Sequence, residues 1–208
     1  MYSVKEIFFT IQGEGCNTGS YAVFCRFSGC NLWTGREKDR KDSICNFCDT
    51  DFIGTDGLNG GKYKNPQDLA SKAYSLWRGT HKPFIVLTGG EPLLQVNEPL
   101  IKELHRVGFT IALETNGTIK APNDIDWICV SPKENVELAQ DYGDELKFVY
   151  PQKKILPKDF EKLNFKNFLL QPMDGPQAKD NTIAARKFCD HNNNWKLSLQ
   201  THKVLGYP

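Results

Sequence analysis

Short apolar runs alternate along the chain with polar clusters that contain glycine or proline. Tyr21–Phe27 is aromatic and β-branched, and Phe84–Leu87 is apolar at every position, so both predict strands. A run that is apolar throughout is typical of a parallel strand buried on both faces. Similar patterns predict a short apolar segment at 7–12 and strands at 109–113, 125–130, 146–150, 168–170 and 195–201.

Three segments between these strands have helical character. Pro66 opens the first helix with Asn65 as its N-cap. The apolar face of this helix consists of Leu69, Ala73, Leu76 and Trp77. Gly108 ends the second helix, and the third covers 181–190. The glycine-rich stretch 53–64 is predicted to be a loop.

The recurring order of strand, polar cluster and helix predicts a parallel α/β fold. Because the polar clusters follow strands, they should converge on one rim, as in barrel enzymes. Eight full βα units need roughly 250 residues, whereas this chain has 208. We therefore predict a single domain, 1–208, built as an incomplete TIM-like barrel of parallel strands with reduced helices. A doubly wound sheet is the second choice because the chain contains no G-x-G-x-x-G motif.

Composition and charge narrow the functional classes. The chain has 26 Lys and Arg against 25 Asp and Glu, which leaves no electrostatic footprint for nucleic acid or an anionic membrane. The N-terminal residues lack the apolar segment of a signal peptide, and no run reaches membrane-spanning length. Seven cysteines without a regular framework fit a reducing cytoplasm better than a disulfide scaffold. These features favour a cytoplasmic small-molecule enzyme or metalloprotein.

Cysteines provide the main candidate chemistry. Cys30, Cys45 and Cys48 follow the pattern C-x14-C-x2-C, with Cys25 five residues upstream. Structural zinc needs four ligands, so a zinc site would require Cys25, which lies in a predicted strand and is more simply a small core residue. Three thiolates on a four-iron cluster would leave one iron open to a non-protein ligand. The residues alone favour a metal or cluster site over unrelated free thiols.

Two further stretches allow more than one interpretation. Gln12-Gly13-Glu14 is either a turn or a place where backbone and side chains bind a heterocycle. Arg26 shares a strand face with Ala22 and Phe24. It therefore either lies in water at an edge strand or faces inward, where it needs an anionic partner such as a carboxylate.

The motifs, taken in order, resemble the radical S-adenosylmethionine superfamily. The cysteine triad is followed by Thr88-Gly89-Gly90-Glu91-Pro92 at the end of a predicted strand. The motifs QGEG, FCRFSGC, CDTDF, TGGEP and ETNGT are similar to the 7-carboxy-7-deazaguanine synthase family, and the resemblance extends from Ile11 to Pro208. The superfamily's usual spacing is C-x3-C-x2-C, whereas fourteen residues separate the first two cysteines here. The segment at about 31–44 is therefore an insertion in the cluster-binding loop.

The resemblance implies cofactors and a reaction. Cys30, Cys45 and Cys48 would hold a [4Fe-4S] cluster whose open iron binds S-adenosylmethionine, and Thr50 would bind Mg²⁺. Reductive cleavage would yield a radical that takes hydrogen from 6-carboxy-5,6,7,8-tetrahydropterin. Ring contraction with loss of ammonia would then give 7-carboxy-7-deazaguanine. The implied partners are an electron donor such as flavodoxin or ferredoxin and a second copy in a homodimer, with no nucleic acid and no membrane.

The resemblance also assigns the remaining site residues. For S-adenosylmethionine it implies Gly90, Ser131, Pro132, Lys133, Gln171, Pro172, Met173 and Asp174. For the pterin it implies Ile11, Gln12, Gly13, Glu14, Arg26, Thr88, Glu114, His202 and Pro208. It assigns no residue a catalytic role of its own, because the cofactor carries the difficult chemistry.

The last five residues are either a loose tail or a segment that closes over the substrate. Leu205 and Tyr207 are candidate anchors, and Gly206 permits a sharp bend between them. In the resembling family a C-terminal proline closes over the substrate. We therefore expect the Pro208 carboxylate and His202 to contact the pterin.

Two other functions share part of the pattern. An activase that forms a radical on a protein partner would share the triad and G-G-E-P, but it gives no reason for Gln12-Gly13-Glu14 or Arg26. A zinc-binding interaction module would use all four cysteines of the segment 25–48.

Overall fold

One sheet of nine strands and four α-helices make up residues 1–207, the part of the chain that this computed structural model describes. The strands are β1 (Tyr2–Ile11), β2 (Tyr21–Phe27), β3 (Gly61–Tyr63), β4 (Phe84–Gly89), β5 (Thr110–Thr115), β6 (Trp127–Val130), β7 (Tyr142–Tyr150), β8 (Asn164–Pro172) and β9 (Trp195–Leu197). The helices are α1 (Pro66–Ser75), α2 (Glu98–Arg106), α3 (Ala178–His191) and α4 (Thr201–Leu205). Short 3-10 helices occupy Glu37–Asp42, Pro92–Leu94 and Pro157–Phe160.

The sheet has the winding of a barrel that stays open. Its strand order is β3-β1-β2-β4-β5-β6-β7-β8-β9. β1 is antiparallel to both neighbours, and every pair from β2 to β9 is parallel. The parallel strands follow one another in chain order without the central reversal of a doubly wound sheet. β3 and β9 are its two edges, so the predicted incomplete TIM-like barrel is confirmed.

Helices α1, α2 and α3 pack against the sheet and form its core with the strands. Leu69 of α1 and Leu100 of α2 are buried in the larger core cluster, which contains apolar residues of β1, β2, β4 and β5. Ala185 of α3 is buried in a second cluster with residues of β7, β8 and β9. A small cluster that includes Ala22 and Val86 fills the opposite face. Small side chains there suit the inside of a curved sheet.

The helix boundaries follow from the capping residues. The Asn65 side chain accepts a hydrogen bond of 2.8 Å from the Asp68 amide and starts α1 as predicted. Asn97 caps α2 in the same way, with 3.2 Å to the Leu100 amide. Gly108, at φ +99°, ends the second helical segment, also as predicted. Among the described residues, no helix is long and apolar enough to cross a membrane.

Two strands differ in length from the prediction, because pairing with neighbouring segments, and not the apolar pattern, determines where they begin or end. β1 begins at Tyr2 rather than residue 7, because its first half pairs with β3, inside the stretch predicted to be a loop. The strand predicted at 195–201 is wrong beyond Leu197. After Ser198 the chain turns into α4, whose Thr201 amide donates 2.9 Å to the Gly13 carbonyl.

Candidate functional site

A cavity of about 440 Å³ opens at the carboxyl ends of the parallel strands. Strands β2, β4, β5, β7 and β8 line it with Arg26, Thr88, Glu114, Lys147 and Gln171, and β6 contributes Cys129. Ligands of parallel α/β folds bind at this rim because the loops and free backbone groups of every strand meet there. The rim predicted from the sequence is therefore the rim that carries the cavity.

The cavity brings most of the predicted site residues together. Its walls include Gly90, Ser131, Lys133, Gln171, Pro172, Met173 and Asp174 from the first set, and Ile11, Gln12, Gly13, Glu14, Arg26, Thr88, Glu114 and His202 from the second. Cys45, Cys48 and Thr50 also line it. Pro132 is buried, and its carbonyl accepts a hydrogen bond of 3.1 Å from Gln152. Pro208 lies outside the described residues.

Glu91 of the G-G-E-P motif holds two strand ends together. Its side chain is 0% exposed and accepts hydrogen bonds from the Leu93 amide at 2.9 Å, the Thr115 hydroxyl at 2.9 Å and the Asn116 amide at 2.8 Å. Burial raises the pKa of this carboxyl, and the amide donors act in the opposite direction. Glu91 thus fixes the loops after β4 and β5. This structural role explains why the G-G-E-P motif contains a glutamate.

The glycine before Glu91 allows the loops to approach the first cysteine. A Cβ atom on Gly90 would lie 2.1 Å from the Gly29 carbonyl oxygen and 2.9 Å from the Cys30 Cβ. Asn116 extends the same contact, because its side chain donates 3.0 Å to the Asn31 side-chain oxygen. Any larger residue at position 90 would therefore push the loop away from Cys30.

Cys30, Cys45 and Cys48 lie close enough for their charges to act on one another. Burial raises the pKa of the Cys30 thiol, whereas the Leu32 amide, which donates to its Sγ at 3.4 Å, favours the thiolate. Burial likewise raises the pKa of Cys45, and the nearby Lys133 opposes that shift. Amide donors to sulfur and a nearby cation are suited to a cluster held by thiolates, so these three residues fit the implied cofactor.

No set of three or more His, Cys, Asp or Glu side chains within residues 1–207 converges tightly enough to hold a single metal ion. A four-iron cluster is larger than one ion, so its three cysteine ligands need not meet at a point. Cys25 is 0% exposed in the core between β1 and β4, opposite Ile7 and Leu87, and burial raises the pKa of its thiol. The zinc site that would need Cys25 is therefore not favoured.

Lys133 stands beside the second and third cysteines. Burial lowers the pKa of its ammonium, and the charges of Cys45 and Cys48 counteract that effect. Its Nζ donates 2.9 Å to the Ser131 carbonyl and 2.6 Å to the Ser131 hydroxyl, which fixes the loop after β6. The segment Ser131-Pro132-Lys133 therefore holds its lysine close to Cys45 and Cys48.

Carboxylates and one lysine form another part of the cavity wall. Lys147 of β7 is 5% exposed and pairs with Glu14, and its Nζ lies 3.6 Å from a Glu114 oxygen. Burial disfavours the charged form of Lys147, but the charges of Glu114 and Glu14 have the larger effect and raise the pKa of Lys147 well above its usual value. Gln12 donates 3.0 Å to Glu114 from the other side. The result is a hydrogen-bonded wall rich in acceptors.

Arg26 faces the cavity, and it already has a partner within the chain. Its Nε donates 2.8 Å to Glu6 of β1, and both side chains are partly buried. The inward orientation is the one that the strand alternation allowed, whereas the partner Glu6 was not predicted. Arg26 retains further N–H donors for an anion.

The C-terminal segment docks on the cavity through α4. A Cβ atom on Gly13 would lie 2.1 Å from the His202 ring, so the glycine permits this close packing. Lys203 pairs with Asp49 at 2.8 Å and also with Asp174. Leu205 is 61% exposed, so its predicted role as an anchor is wrong, whereas Tyr207 lines the cavity.

The most prominent residue that the sequence analysis missed is Lys147. It belongs to the run Leu146–Tyr150, which was interpreted only as an apolar strand. A lysine within a buried strand by itself indicates a polar site, because a buried ammonium needs acidic partners. Glu145 next to it, 3% exposed, accepts 2.8 Å from the Cys16 amide and supports the same wall.

Comparisons with known proteins place the chain among named relatives. No protein-family profile matches it. The chain is 56% identical over 208 residues to the 7-carboxy-7-deazaguanine synthase of Caulobacter vibrioides, covering 100% of this chain and 99% of the relative. It is 54% identical over 208 residues to the protein of that name from Burkholderia multivorans, with 100% and 99% covered. The solved structure of QueE from Escherichia coli has a TM-score of 0.71 at 27% identity, covering 96% of this chain and 93% of that one.

Proposed function

The chain belongs to the 7-carboxy-7-deazaguanine synthase family, and from this membership we propose how its residues divide the reaction. It is an enzyme of the radical S-adenosylmethionine type with a role in 7-deazapurine biosynthesis. Membership implies a [4Fe-4S] cluster and S-adenosylmethionine as cofactors. The reaction that we propose converts 6-carboxy-5,6,7,8-tetrahydropterin to 7-carboxy-7-deazaguanine with loss of ammonia.

The observation that carries this proposal is that one cavity holds both kinds of group. Cys45 and Cys48 line it, and so does the acceptor-rich wall around Lys147. Cluster and S-adenosylmethionine, once bound, supply the reductive radical chemistry. The protein has to hold the substrate at a fixed distance from them and exclude water.

Cys30, Cys45 and Cys48 are the proposed cluster ligands. Support comes from their mutual proximity and from the Leu32 amide that donates to the Cys30 Sγ. The proposed S-adenosylmethionine residues are Gly90, Ser131, Pro132, Lys133, Gln171, Pro172, Met173 and Asp174. All of these residues except Pro132 line the cavity, at or just after the ends of β4, β6 and β8.

Hydrogen-bond chemistry supports the pterin site. A reduced pterin presents several N–H donors, and carboxylates accept such bonds. We therefore propose that Glu14 and Glu114 receive them. Arg26 is the proposed partner of the substrate carboxylate, which a guanidinium can bind through two parallel bonds. The remaining proposed contacts are Ile11, Gln12, Gly13, Thr88, His202 and Pro208.

Magnesium binding at Thr50 is a separate proposal. Thr50 lines the cavity two residues after Cys48, so a hydroxyl ligand there would reach an ion shared with the substrate. Mg²⁺ prefers oxygen ligands and keeps several waters, so one protein ligand together with a substrate group suits it.

The setting of the enzyme is also proposed. The chain would form one domain, 1–208, with the insertion at about 31–44 in its cluster-binding loop, and would work as a cytoplasmic homodimer. An electron donor such as flavodoxin or ferredoxin would reduce the cluster. Nearly balanced charge supports the absence of nucleic acid and membrane partners. The activase alternative leaves the acceptor-rich wall without a role.

Turnover under anaerobic conditions tests the proposed function. Reconstituted protein, dithionite, S-adenosylmethionine, Mg²⁺ and 6-carboxy-5,6,7,8-tetrahydropterin should give 7-carboxy-7-deazaguanine and ammonia. Reconstituted Cys48→Ala protein is the control and should give neither product. A reconstituted protein that contains iron and sulfide and cleaves S-adenosylmethionine but leaves the pterin unchanged would contradict the proposed substrate.

A further inference from the structure

The insertion at 31–44 folds back on itself rather than projecting as an open loop. The Ile44 and Cys45 amides both donate to the Leu32 carbonyl, at 3.1 and 3.2 Å, which closes its base. Trp33 is only 6% exposed, and its ring packs edge-on against Phe52 with the centroids 5.5 Å apart. Trp33 therefore anchors the insertion to Phe52, four residues after Cys48, in a small packed centre.

Arg40, in the 3-10 helix Glu37–Asp42, connects this centre to the cluster-binding segment. Its guanidinium lies 4.0 Å above the Trp33 ring. Two of its nitrogens bind the Glu37 carboxylate, at 2.6 and 2.8 Å. The third nitrogen, Nη1, donates 3.1 Å to the Asn46 carbonyl and 2.9 Å to the Cys48 carbonyl. One side chain thus joins a ring, a carboxylate and two backbone carbonyls.

Other groups hold the ends of the segment that carries these two carbonyls: the Cys45 backbone binds Leu32 and Ser43, and the Asp49 side chain binds Gln200 and Lys203. Among the described residues, Arg40 is the donor to the carbonyls between them. Residues 45–50 have no regular secondary structure. An irregular segment has no ladder of backbone hydrogen bonds, so side-chain donors decide where its carbonyl groups lie. Two of the three candidate cluster ligands, Cys45 and Cys48, are in this segment.

We propose that the insertion exists to support Arg40, and that Arg40 is a positioning residue that holds the Cys45–Cys48 turn in the geometry the cluster needs. The inference rests on the proposed function, because it takes these cysteines as cluster ligands. A planar guanidinium with donors on three sides is required, since an ammonium is a single point of contact that cannot bridge Glu37, Asn46 and Cys48 together. The extra residues between the first two cysteines thereby acquire a function.

The test compares Arg40→Lys and Arg40→Gln with wild type and with Lys38→Gln. Lys38 is exposed on the same 3-10 helix, and among the described residues it makes no hydrogen bond or ion pair, so it controls for surface charge. Two measurements are made. One is amide hydrogen exchange of residues 46–50 in the apoprotein. The other is the rate at which a chelator removes iron from the reconstituted protein, together with the electron paramagnetic resonance spectrum of the reduced cluster.

Both Arg40 variants should show exchange and iron loss several-fold faster than wild type, with a broadened spectrum, while Lys38→Gln matches wild type. An Arg40→Lys protein that matches wild type in both rates would overturn the inference, because charge alone would then suffice. If the Arg40 variants exchange faster but even the wild-type protein never acquires a cluster, the positioning role of Arg40 is supported and the proposed function is contradicted. If exchange is unchanged while the wild-type protein acquires a normal cluster, only the positioning role is contradicted.

Discussion

Lys147 and Glu14 form an ion pair across the chain, between β7 and the loop after β1, at the wall of the cavity. Their side chains are only 6% and 15% exposed. The pair places one positive charge among three carboxylates, since Glu114 and Glu145 also act on Lys147. Removing the lysine would leave those charges without compensation in a poorly hydrated site.

Replacement of Lys147 by Met should therefore cost both stability and substrate binding. Truncating one member of a buried ion pair typically costs about 3–5 kcal/mol, so we expect a loss of that order in the free energy of unfolding. The matched control is Lys166→Met, because Lys166 is 75% exposed in its pair with Asp144 and such pairs contribute about 0–1 kcal/mol. Denaturant unfolding measures both variants, and equal effects would contradict the assigned role of the buried pair.

The same pair should give a defined pH dependence. Burial opposes ionisation of Glu14, but Lys147 outweighs it and lowers the pKa of the carboxyl below its usual value. A carboxyl with a lowered folded-state pKa stabilises the fold above its unfolded pKa, about 4.3, and this contribution is lost as the pH falls through the folded value. The stability difference between wild type and Lys147→Met should thus shrink below about pH 4. Parallel stability curves from pH 3 to 7 would argue against the pairing.

Single cysteine substitutions should separate the cluster ligands from the core cysteine. Cys30→Ala, Cys45→Ala and Cys48→Ala should each lose iron and sulfide after anaerobic reconstitution, because each removes a thiolate ligand. Cys25→Ala should keep the full cluster and lose only about 1 kcal/mol of stability, typical of a small core change. Iron and sulfide analysis decides the matter, and a full cluster in Cys45→Ala would refute the ligand assignment.

Magnesium should stimulate turnover through Thr50. Metal-stripped enzyme with an intact cluster should be slower without Mg²⁺ and recover when it is added. Thr50→Val keeps the shape and removes the hydroxyl ligand, so it should lose the stimulation while retaining S-adenosylmethionine binding. Thr55→Val, in the following loop, is the control. Equal rates with and without Mg²⁺ in the wild type would dispose of this hypothesis.

Residues added after Pro208 should interfere with the pterin. Since α4 docks through Thr201 and His202 against Gly13, an extension would crowd the mouth of the cavity. We expect a raised KM for the pterin with unchanged cluster content and S-adenosylmethionine affinity. The same residues added before Met1 serve as the control. Unaltered kinetics in the C-terminally extended protein would make the segment a loose tail.

Local features predicted from the sequence hold where the residues themselves fix them. Asn65 and Gly108 mark the helix boundaries that they predict, because a cap and a left-handed residue act within a few positions. The alternation in β2 predicts that Cys25 and Arg26 point to opposite faces, and the structure has Cys25 in the core and Arg26 at the cavity. The polar clusters after the strands do meet at one rim, since parallel strands all end on the same side.

Tertiary structure alone decides which distant charges meet. Nothing local to Lys147 indicates that Glu14, more than one hundred residues away, is its partner, and the pairing of Glu6 with Arg26 depends on the register of β1 against β2. The end of the last strand is likewise set by the Gly13 carbonyl, which captures Thr201 and starts α4. A sequence pattern predicts which face a side chain takes, but its partner depends on strand order and register, which arise only when the sheet forms.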